Sequence, residues 1–497
     1  MLPFYLLLIL VLPFILLLFS FLRNQFFHPL RKFPGPFWAA HTDLWRVYHL
    51  CTKRMPDTME KVHERYGPVV RVAPNELSFQ GVEILDEVYK GGSKRFIKSN
   101  LYDGFTTFHP NSFGTRDEDL HAKRRRQMAH SFSIASLSQM ESIFNRHLNN
   151  LINAIAAQGS KPFDLKNLIG YYAYDVMGEL VFHTDFGSQD AQDPAQLPPI
   201  NEHIFLGCLF GMLPSLLPYS MKLANYIPLP WLQNLLESRK QLRDRTSACV
   251  AHEMAREKIS DKHSILTRLI RAKDPETGER LNEVAVSSEA FAFLVAGSHT
   301  TSGTLTLLFY HLLHNKSVAD KLTKEITACV PFEDTAGDSL PAYAGLEAQL
   351  PYATACIREN FRISPVFTMP LPRTVCDPEG VVIEGVYVPP GTNVSMVNQV
   401  IHHNASVWGM DHDVFRPERW LDPAKPLSPN DLAPFGAGHR ACIGRNVAMM
   451  SIVKVLTALW RRFELEVLDP AEELIVESVG IGEKQGPLMV RAKLRAE

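Results

Sequence analysis

The chain has 497 residues, 46% of them hydrophobic, which is enough to bury a large core. Its formal net charge is −2 with both signs mixed along the sequence, which excludes the basic footprint of a nucleic-acid-binding protein. The seven cysteines are scattered and include no Cys-x-x-Cys pair, so neither a disulfide framework nor a zinc site is indicated, and a reducing compartment is favoured.

The first segment predicts a membrane anchor. Residues 1–22 carry no charged side chain, and a helix of this length spans roughly 33 Å, enough to cross the core of a bilayer. A cleaved signal peptide would have a basic start and a small-residue cleavage site, and neither is present. Arg23, Arg31 and Lys32 follow the span, so we expect a single-pass signal-anchor helix with the body of the protein in the cytoplasm.

A proline-rich hinge follows the anchor, and a single large domain follows the hinge. Phe33-Pro34-Gly35-Pro36 predicts a stiff, non-helical joint within a proline-rich hinge at residues 23–39, and we expect residues 40–497 to form one domain. Residues 66–79 predict two strands joined by a turn at Pro74-Asn75, the start of a small β region. Residues 98–113 mix aromatic, polar and glycine residues and predict a loop.

The segment from Leu120 to Met128 predicts a helix on which His121 and Arg125, one turn apart, share a face. The three other basic residues of this segment fit either a solvated face or a basic patch that attracts an acidic electron donor. Farther along, residues 205–236 are apolar but repeatedly interrupted by prolines, which predicts a pocket lid at the membrane surface rather than a second span.

A long buried helix is predicted from a cap at Asn282 to about His314. Its centre reads Ala296-Gly297-Ser298-His299-Thr300-Thr301, in which Gly297 weakens the helix and Thr300 can divert a backbone carbonyl. We expect the two to open a local groove. His299 is either a proton relay or an ordinary core histidine, and the residues leave both open.

Two charged segments follow the long helix. Glu359 and Arg362 lie one turn apart on a predicted helix, and residues 415–420 bring further arginines. Between them, residues 381–388 and 392–400 predict strands around a Pro-Pro-Gly turn.

The most informative stretch is Phe435-Gly436-Ala437-Gly438-His439-Arg440-Ala441-Cys442-Ile443-Gly444, which leads into an apolar run with helical spacing. Glycines let the backbone approach a flat partner, and the N-terminus of the following helix favours a thiolate at Cys442. Zinc takes three or four protein ligands, whereas haem iron needs one axial donor, so the lone thiolate suits haem.

This stretch resembles the haem-binding loop of the cytochrome P-450 family, a likeness carried by five residues. Phe435, Gly438, Arg440, Cys442 and Gly444 fill every fixed position of that loop. The resemblance implies the mainly α fold of that family (all-α class) with a small β region, here behind a single N-terminal transmembrane helix. It also implies that residues 40–497 are a haem-thiolate catalytic domain that binds haem b (iron protoporphyrin IX), with Cys442 as the axial ligand of the iron.

The same resemblance assigns further residues. Arg440, Arg373, Arg125 and His121 would hold the haem propionates, with His121 standing where the family usually has tryptophan. Thr300 matches the residue that manages protons at the dioxygen site, and His299 stands where the family has an acid. The pair of Glu359 and Arg362 would join the arginines of residues 415–420 in a structural clamp that positions the haem loop.

The implied reaction is monooxygenation, in which one atom of O2 enters a lipophilic small molecule. The implied partners are a NADPH–cytochrome reductase and the membrane of the endoplasmic reticulum, with the catalytic domain on its cytoplasmic side. Residues 33–36 and 66–79 in particular are similar to the corresponding stretches of fungal microsomal members, many of which tailor secondary metabolites. Two alternatives stay open at this stage: a haem-thiolate isomerase or dehydratase that uses no oxygen, and a haem-based sensor or binding protein.

Overall fold

The computed structural model describes residues 15, 18–92, 94–257, 264–333, 340–424, 427–428 and 431–495. Most of the predicted anchor, residues 1–14 and 16–17, lies outside these ranges. Within them, no helix is both long and apolar enough to cross a membrane.

Helices make up most of the described chain. Those of the first half are α1 (Phe37–His41), α2 (Leu44–Cys51), α3 (Met55–Tyr66), α4 (Glu118–Ala129), α5 (Ile134–Ser138), α6 (Glu141–Gln158), α7 (Leu165–Phe182), α8 (Ser188–Ala191), α9 (Ile200–Gly211) and α10 (Leu217–Leu223). Those of the second half are α11 (Pro230–Glu257), α12 (Ile265–Arg271), α13 (Glu283–His314), α14 (Lys316–Cys329), α15 (Leu346–Gln349), α16 (Pro351–Ile363), α17 (Asn398–His402), α18 (Ala405–Trp408) and α19 (Arg445–Arg462).

The strands are short and form four small sheets. They are β1 (Val69–Ala73), β2 (Glu76–Phe79), β3 (Phe96–Lys98), β4 (Phe163–Asp164), β5 (Arg373–Val375), β6 (Val381–Ile383), β7 (Val386–Val388), β8 (Asn393–Ser395), β9 (Phe463–Val467), β10 (Val476–Ser478), β11 (Gly482–Lys484) and β12 (Met489–Leu494). The largest sheet has the order β1-β2-β8-β5-β3, with β2 and β8 parallel. The mainly helical fold with a small β region is confirmed.

Helix α13 forms the spine of the core. The Asn282 side chain accepts a hydrogen bond from the backbone N–H of Ala285 at 2.8 Å, which confirms the predicted cap. The helix runs unbroken to His314 and packs along α7, with Phe291 and Phe309 among its fully buried side chains. A helix that is apolar on most of its faces is stable only when neighbours cover most of it, and most side chains of α13 are buried.

Two local predictions were wrong. Residues 98–113 were expected to be a loop, but Asn100–Phe105 forms a 3-10 helix whose first turn is capped by the Ser99 hydroxyl. The strand expected over residues 392–400 covers only Asn393–Ser395, and helix α17 follows it. Val400 and Ile401 are adjacent and both buried, a pattern that short helices and buried strands share in sequence.

Candidate active site

The Cys442 loop is shaped by two glycines and ends at helix α19. Gly436 and Gly438 have φ angles of 69° and 67°, a left-handed region that favours glycine. The N–H of Cys442 donates to the carbonyl of Phe435 at 2.7 Å, which closes the loop. A Cβ on Gly438 would lie 2.1 Å from the carbonyl oxygen of Tyr89, so the loop rests directly on that backbone.

Cys442 is exposed, yet burial is the main influence on the pKa of its thiol. Burial raises the thiol pKa, while the N–H groups of Gly444 and Arg445 and the charge of Arg125 lower it by less. The helix terminus alone therefore does not produce the thiolate expected from the sequence, and coordination to a metal would deprotonate the sulfur.

Four buried or half-buried cations surround one edge of this loop. Lys98 and Arg373 are directly opposite each other on the paired strands β3 and β5, and both are about 5% exposed or less. Like charges in this position repel each other. The Arg440 side chain is 2% exposed, and Arg125 donates to the carbonyl of Ala441 at 2.6 Å.

Little negative charge balances these cations. Lys98 Nζ donates to the carbonyl of Phe113 at 2.6 Å, and Arg373 Nη1 donates to the Tyr102 hydroxyl at 2.8 Å and to two carbonyls. Arg440 pairs with Glu118 at 2.8 Å, but no carboxylate in the described part of the chain pairs with Lys98 or Arg373. Burial, followed by the charges of Arg373 and Arg440, lowers the pKa of Lys98 well below its usual value.

His121 lies within the same cluster and is 4% exposed. Burial first, and then the charges of Arg440 and Lys98, lower the pKa of His121 to about 3, so the imidazole is neutral at physiological pH. A neutral imidazole can donate one hydrogen bond without adding to the repulsion.

The arrangement fits a ligand with two carboxylates, such as haem. Burying cations without a counter-charge is costly, so a cluster of this kind is stable when an anion completes it. The propionates of haem would supply that charge close to the loop that carries Cys442. The sequence-predicted residues Arg373, Arg440, Arg125 and His121 are therefore brought together by the fold.

Lys98, Tyr102 and Glu118 were missed by sequence reasoning. No spacing signal marks Lys98, since a lysine before a loop is usually solvated. Its position becomes informative only because Lys98 pairs with Arg373 across two strands, and these two residues are 275 positions apart in the sequence. Glu118 lies in the first turn of α4, where acidic residues are common because they interact favourably with the positive end of the helix dipole.

The centre of α13 presents an accessible stripe. Ala296 is exposed and Thr300 partly so, although most of the surrounding helix is buried. The Thr300 hydroxyl donates to the carbonyl of Ala296 at 2.7 Å, as the sequence suggested. The expected role of Gly297 was wrong, since the helix is not broken. A Cβ there would lie 2.3 Å from the side chain of Met177, so glycine lets α7 pack closely against α13.

His299 directly precedes Thr300 on α13, and its ring reaches the C-terminal hairpin. Its Nε2 lies 3.8 Å from Glu483 Oε2 on β11, and the atom is buried without a hydrogen-bond partner. Burial lowers the pKa of the imidazole below its ordinary value, and the charge of Glu483 opposes that effect.

The predicted clamp is present and fully buried. Arg362 donates to both oxygens of Glu359, at 2.8 Å and 3.0 Å, and Arg419 donates to the same carboxylate at 2.9 Å. The Trp420 indole and the backbone N–H of Arg416 also donate to Glu359. The clamp thus ties α16 to the segment that precedes the Cys442 loop.

The basic residues beside Arg125 do not form a free patch. Arg124 is buried and pairs with Glu289 of α13, Lys123 pairs with Glu279, and Arg126 pairs with Asp274. The interpretation of these side chains as a docking patch for an electron donor was wrong, because each already has an acidic partner. They tie α4 to α13 and to the turn before it.

Comparison with known proteins gives a consistent result. The family model described as "Cytochrome P450" matches residues 32–491. The chain is 31% identical to "Benzoate 4-monooxygenase bphA" of Aspergillus niger, over 88% of each chain. It is 29% identical to "Cytochrome P450 monooxygenase gsfF" of Penicillium aethiopicum, over 96% of this chain and 95% of the relative. "Cytochrome P450 monooxygenase cpaH" of Aspergillus oryzae is 31% identical, over 90% of this chain and 85% of the relative.

Proposed function

The chain belongs to the cytochrome P450 family and is a haem-thiolate monooxygenase, and on that premise we propose what its residues do. Cys442 is proposed to be the residue that would hold the haem iron, through its sulfur. When bound, haem with a thiolate ligand supplies the chemistry of O2 activation. The loop around Cys442 contributes a glycine-lined approach for the flat cofactor and two N–H groups directed at the sulfur.

The proposed cofactor is haem b, and the observation that supports it is the cation cluster. Lys98, Arg373 and Arg440 would bind the propionates, with Arg125 beside the ligand loop. His121 would donate a hydrogen bond to a propionate from a neutral ring, since its pKa is about 3. Phe435 packs against Phe361 of α16 with 5.3 Å between ring centroids, which fixes the start of the loop.

Thr300 is proposed to manage protons on the distal side. Its hydroxyl is accessible and is held by the carbonyl of Ala296, so the oxygen can accept one hydrogen bond while it donates another. A hydroxyl held in this way orients a proton without carrying a charge of its own.

The substrate is proposed to be a lipophilic small molecule that enters from a membrane. Large apolar side chains of α10, its N-cap Leu216, α11 and the segment between the two helices are exposed, namely Leu216, Tyr219, Leu223, Tyr226, Ile227, Leu229 and Trp231. Such a patch on a soluble surface usually marks an interaction site. Trp38 and Phe37 of α1 are also exposed and lie in the hinge segment that follows the predicted anchor.

We propose that the anchor places the protein in the endoplasmic reticulum membrane with the catalytic domain on the cytoplasmic side. The charge asymmetry around residues 1–22 supports this orientation. A NADPH–cytochrome reductase in the same membrane would supply electrons, because the chain has no nicotinamide or flavin fingerprint of its own. The similarity to fungal P450 monooxygenases supports a role in secondary-metabolite biosynthesis.

The proposal is tested by expressing the chain with a reductase in a fungal host and comparing lipophilic metabolites with and without it. We expect a new metabolite that carries one oxygen atom from isotopically labelled dioxygen. The same host with Thr300→Val serves as a control for the distal side, and we expect less product per NADPH consumed. A new metabolite that forms without dioxygen or NADPH would support an isomerase or dehydratase instead, and ligand binding without any product would support a sensor.

A further inference from the structure

The distal motif of α13 lacks the acid that the family places before its threonine, and His299 stands there instead. The side chain of His299 is largely buried, at 16% exposed, and its Nε2 has no hydrogen-bond partner. A buried ring nitrogen of this kind needs a partner, since an unsatisfied polar group in the interior is costly. The nearest acid is Glu483, with 3.8 Å between Nε2 and Oε2.

Glu483 is held in place by residues of two other helices. Its Oε1 lies 2.5 Å from Lys166 Nζ of α7, and its Oε2 accepts a hydrogen bond from Asn201 Nδ2 of α9 at 2.7 Å. Lys166 Nζ also donates to the carbonyl of Lys484 at 2.7 Å, which fixes the hairpin that carries Glu483. The carboxylate therefore lies where α7, α9 and α13 meet.

This group of side chains connects the interior to solvent. The Lys166 side chain is 22% exposed and that of Glu483 is 28% exposed, whereas His299 lies deeper. A proton taken up at the surface thus needs to pass only the carboxylate to reach the imidazole. The separation of 3.8 Å is longer than a hydrogen bond, and a small rotation of either side chain or one bridging water would close it.

The charges around His299 favour this role. Burial has the largest effect on the pKa of His299 and lowers it. Among the charged neighbours, Glu483 has the largest effect and raises the pKa, Lys166 lowers it, and Glu202 raises it with the smallest effect. These three charged groups, from β11, α7 and α9, are the ones that face the ring. A carboxylate next to Nε2 also selects the tautomer with the proton on Nε2, which leaves Nδ1 free to accept another.

We propose that Glu483 is a positioning residue for His299, and that the two replace the missing acid as a proton path from Lys166 at the surface to the Thr300 side of α13. For each proton that His299 releases, one enters from solvent through Glu483, and no electron moves. The inference deepens the proposed monooxygenase function and rests on it. It assigns proton delivery to an acid that comes from the C-terminal hairpin rather than from the distal helix.

The decisive variant is Glu483→Gln, which keeps the shape and removes the charge. Glu477→Gln is the matched control, because Glu477 lies directly opposite Glu483 on β10 but pairs with Lys53 at the surface. The first measurement is the pKa of His299 in the haem-loaded protein, from the pH dependence of deuterium exchange at the imidazole C2 position by mass spectrometry. Loss of an opposite charge at this distance should lower that pKa by about 1 unit or more in Glu483→Gln, and leave it unchanged in Glu477→Gln.

The second measurement is NADPH oxidation and peroxide release with a reductase, in H2O and D2O, across a pH series and without added substrate. We expect Glu483→Gln to release more peroxide per NADPH and to shift the pH profile to lower pH by the amount that the His299 pKa falls. Glu483→Asp keeps the charge and should retain most of the wild-type profile. An unchanged carbon monoxide difference spectrum in each variant shows that the haem site is intact.

Two results would overturn the inference. One is a His299 pKa that is the same in Glu483→Gln and wild type. The other is a lowered pKa with an unchanged peroxide yield and pH profile, which would make the contact purely structural. Failure of the monooxygenase assignment itself looks different, since wild type would then show no NADPH-dependent O2 uptake, while the exchange measurement would still test the contact between the two side chains.

Discussion

Replacing Glu359 with glutamine removes the carboxylate that two buried arginines share. Its Oε1 accepts from Arg362 Nη2, Arg419 Nε and the backbone N–H of Arg416, and its Oε2 accepts from Arg362 Nε and the Trp420 indole. Glutamine offers one oxygen, so at least two of these bonds are lost, and its NH2 group faces guanidinium donors. Breaking a buried pair in this way costs about 3–5 kcal/mol.

The assay is denaturant-induced unfolding followed by circular dichroism, with haem content measured in parallel. We expect Glu359→Gln to be less stable by about 4 kcal/mol and to lose haem, because the clamp holds the segment before the Cys442 loop. Glu418→Gln is the control: this carboxylate lies in the same segment, is 37% exposed and pairs with Lys321, so its loss should cost about 1 kcal/mol or less. Equal stabilities for the two variants would refute the reasoning.

Two further perturbations test the loop and the β region. Gly438→Ala and Gly436→Ala both place a side chain at positive φ, but only the first would clash with the Tyr89 carbonyl, since the nearest atom to a Cβ on Gly436 is 3.9 Å away. Gly438→Ala should therefore lose haem, measured by its absorbance per protein, whereas Gly436→Ala should lose only about 1 kcal/mol of stability, and equal haem loss would count against the contact. Burial, followed by two neighbouring glutamates, raises the pKa of the Glu384 carboxyl to about 7. Because this pKa is raised, the wild-type protein loses stability as pH rises from about 4.5 through about 7. Glu384→Gln should therefore be more stable than wild type by about 1–2 kcal/mol above pH 7 and equally stable at low pH, in unfolding measured over a pH series. A stability advantage that does not vary with pH would contradict this cause.

Features that depend on neighbouring residues could be predicted from the sequence. The cap at Asn282, the helix to His314 and the helix after Gly444 follow from local residue types and periodicity. The Cys442 loop was predictable because its glycines and its cysteine are contiguous. The Glu359 clamp was partly predictable, since a carboxylate and an arginine one turn apart must share a helix face.

Features that depend on contacts between residues far apart in the sequence could not be predicted from it. The pairing of Lys98 with Arg373 joins strands that are far apart in sequence, and nothing near Lys98 indicates it. Glu483 was missed for the same reason, because its contact with His299 arises only when the C-terminal hairpin packs on α13. Gly297 shows a different limit: the residue suggested a weakened helix, but the space it leaves is used by Met177 of another helix.

The central claim is that Cys442 binds haem iron through its sulfur, and the carbon monoxide difference spectrum of the reduced protein tests it most directly. We predict the spectrum of thiolate-ligated haem for wild type, its loss in Cys442→Ser, and its retention in Cys376→Ser, which changes an exposed cysteine on the β region. A thiolate-type spectrum that survives Cys442→Ser, or a wild-type spectrum of imidazole-ligated haem, would contradict the account.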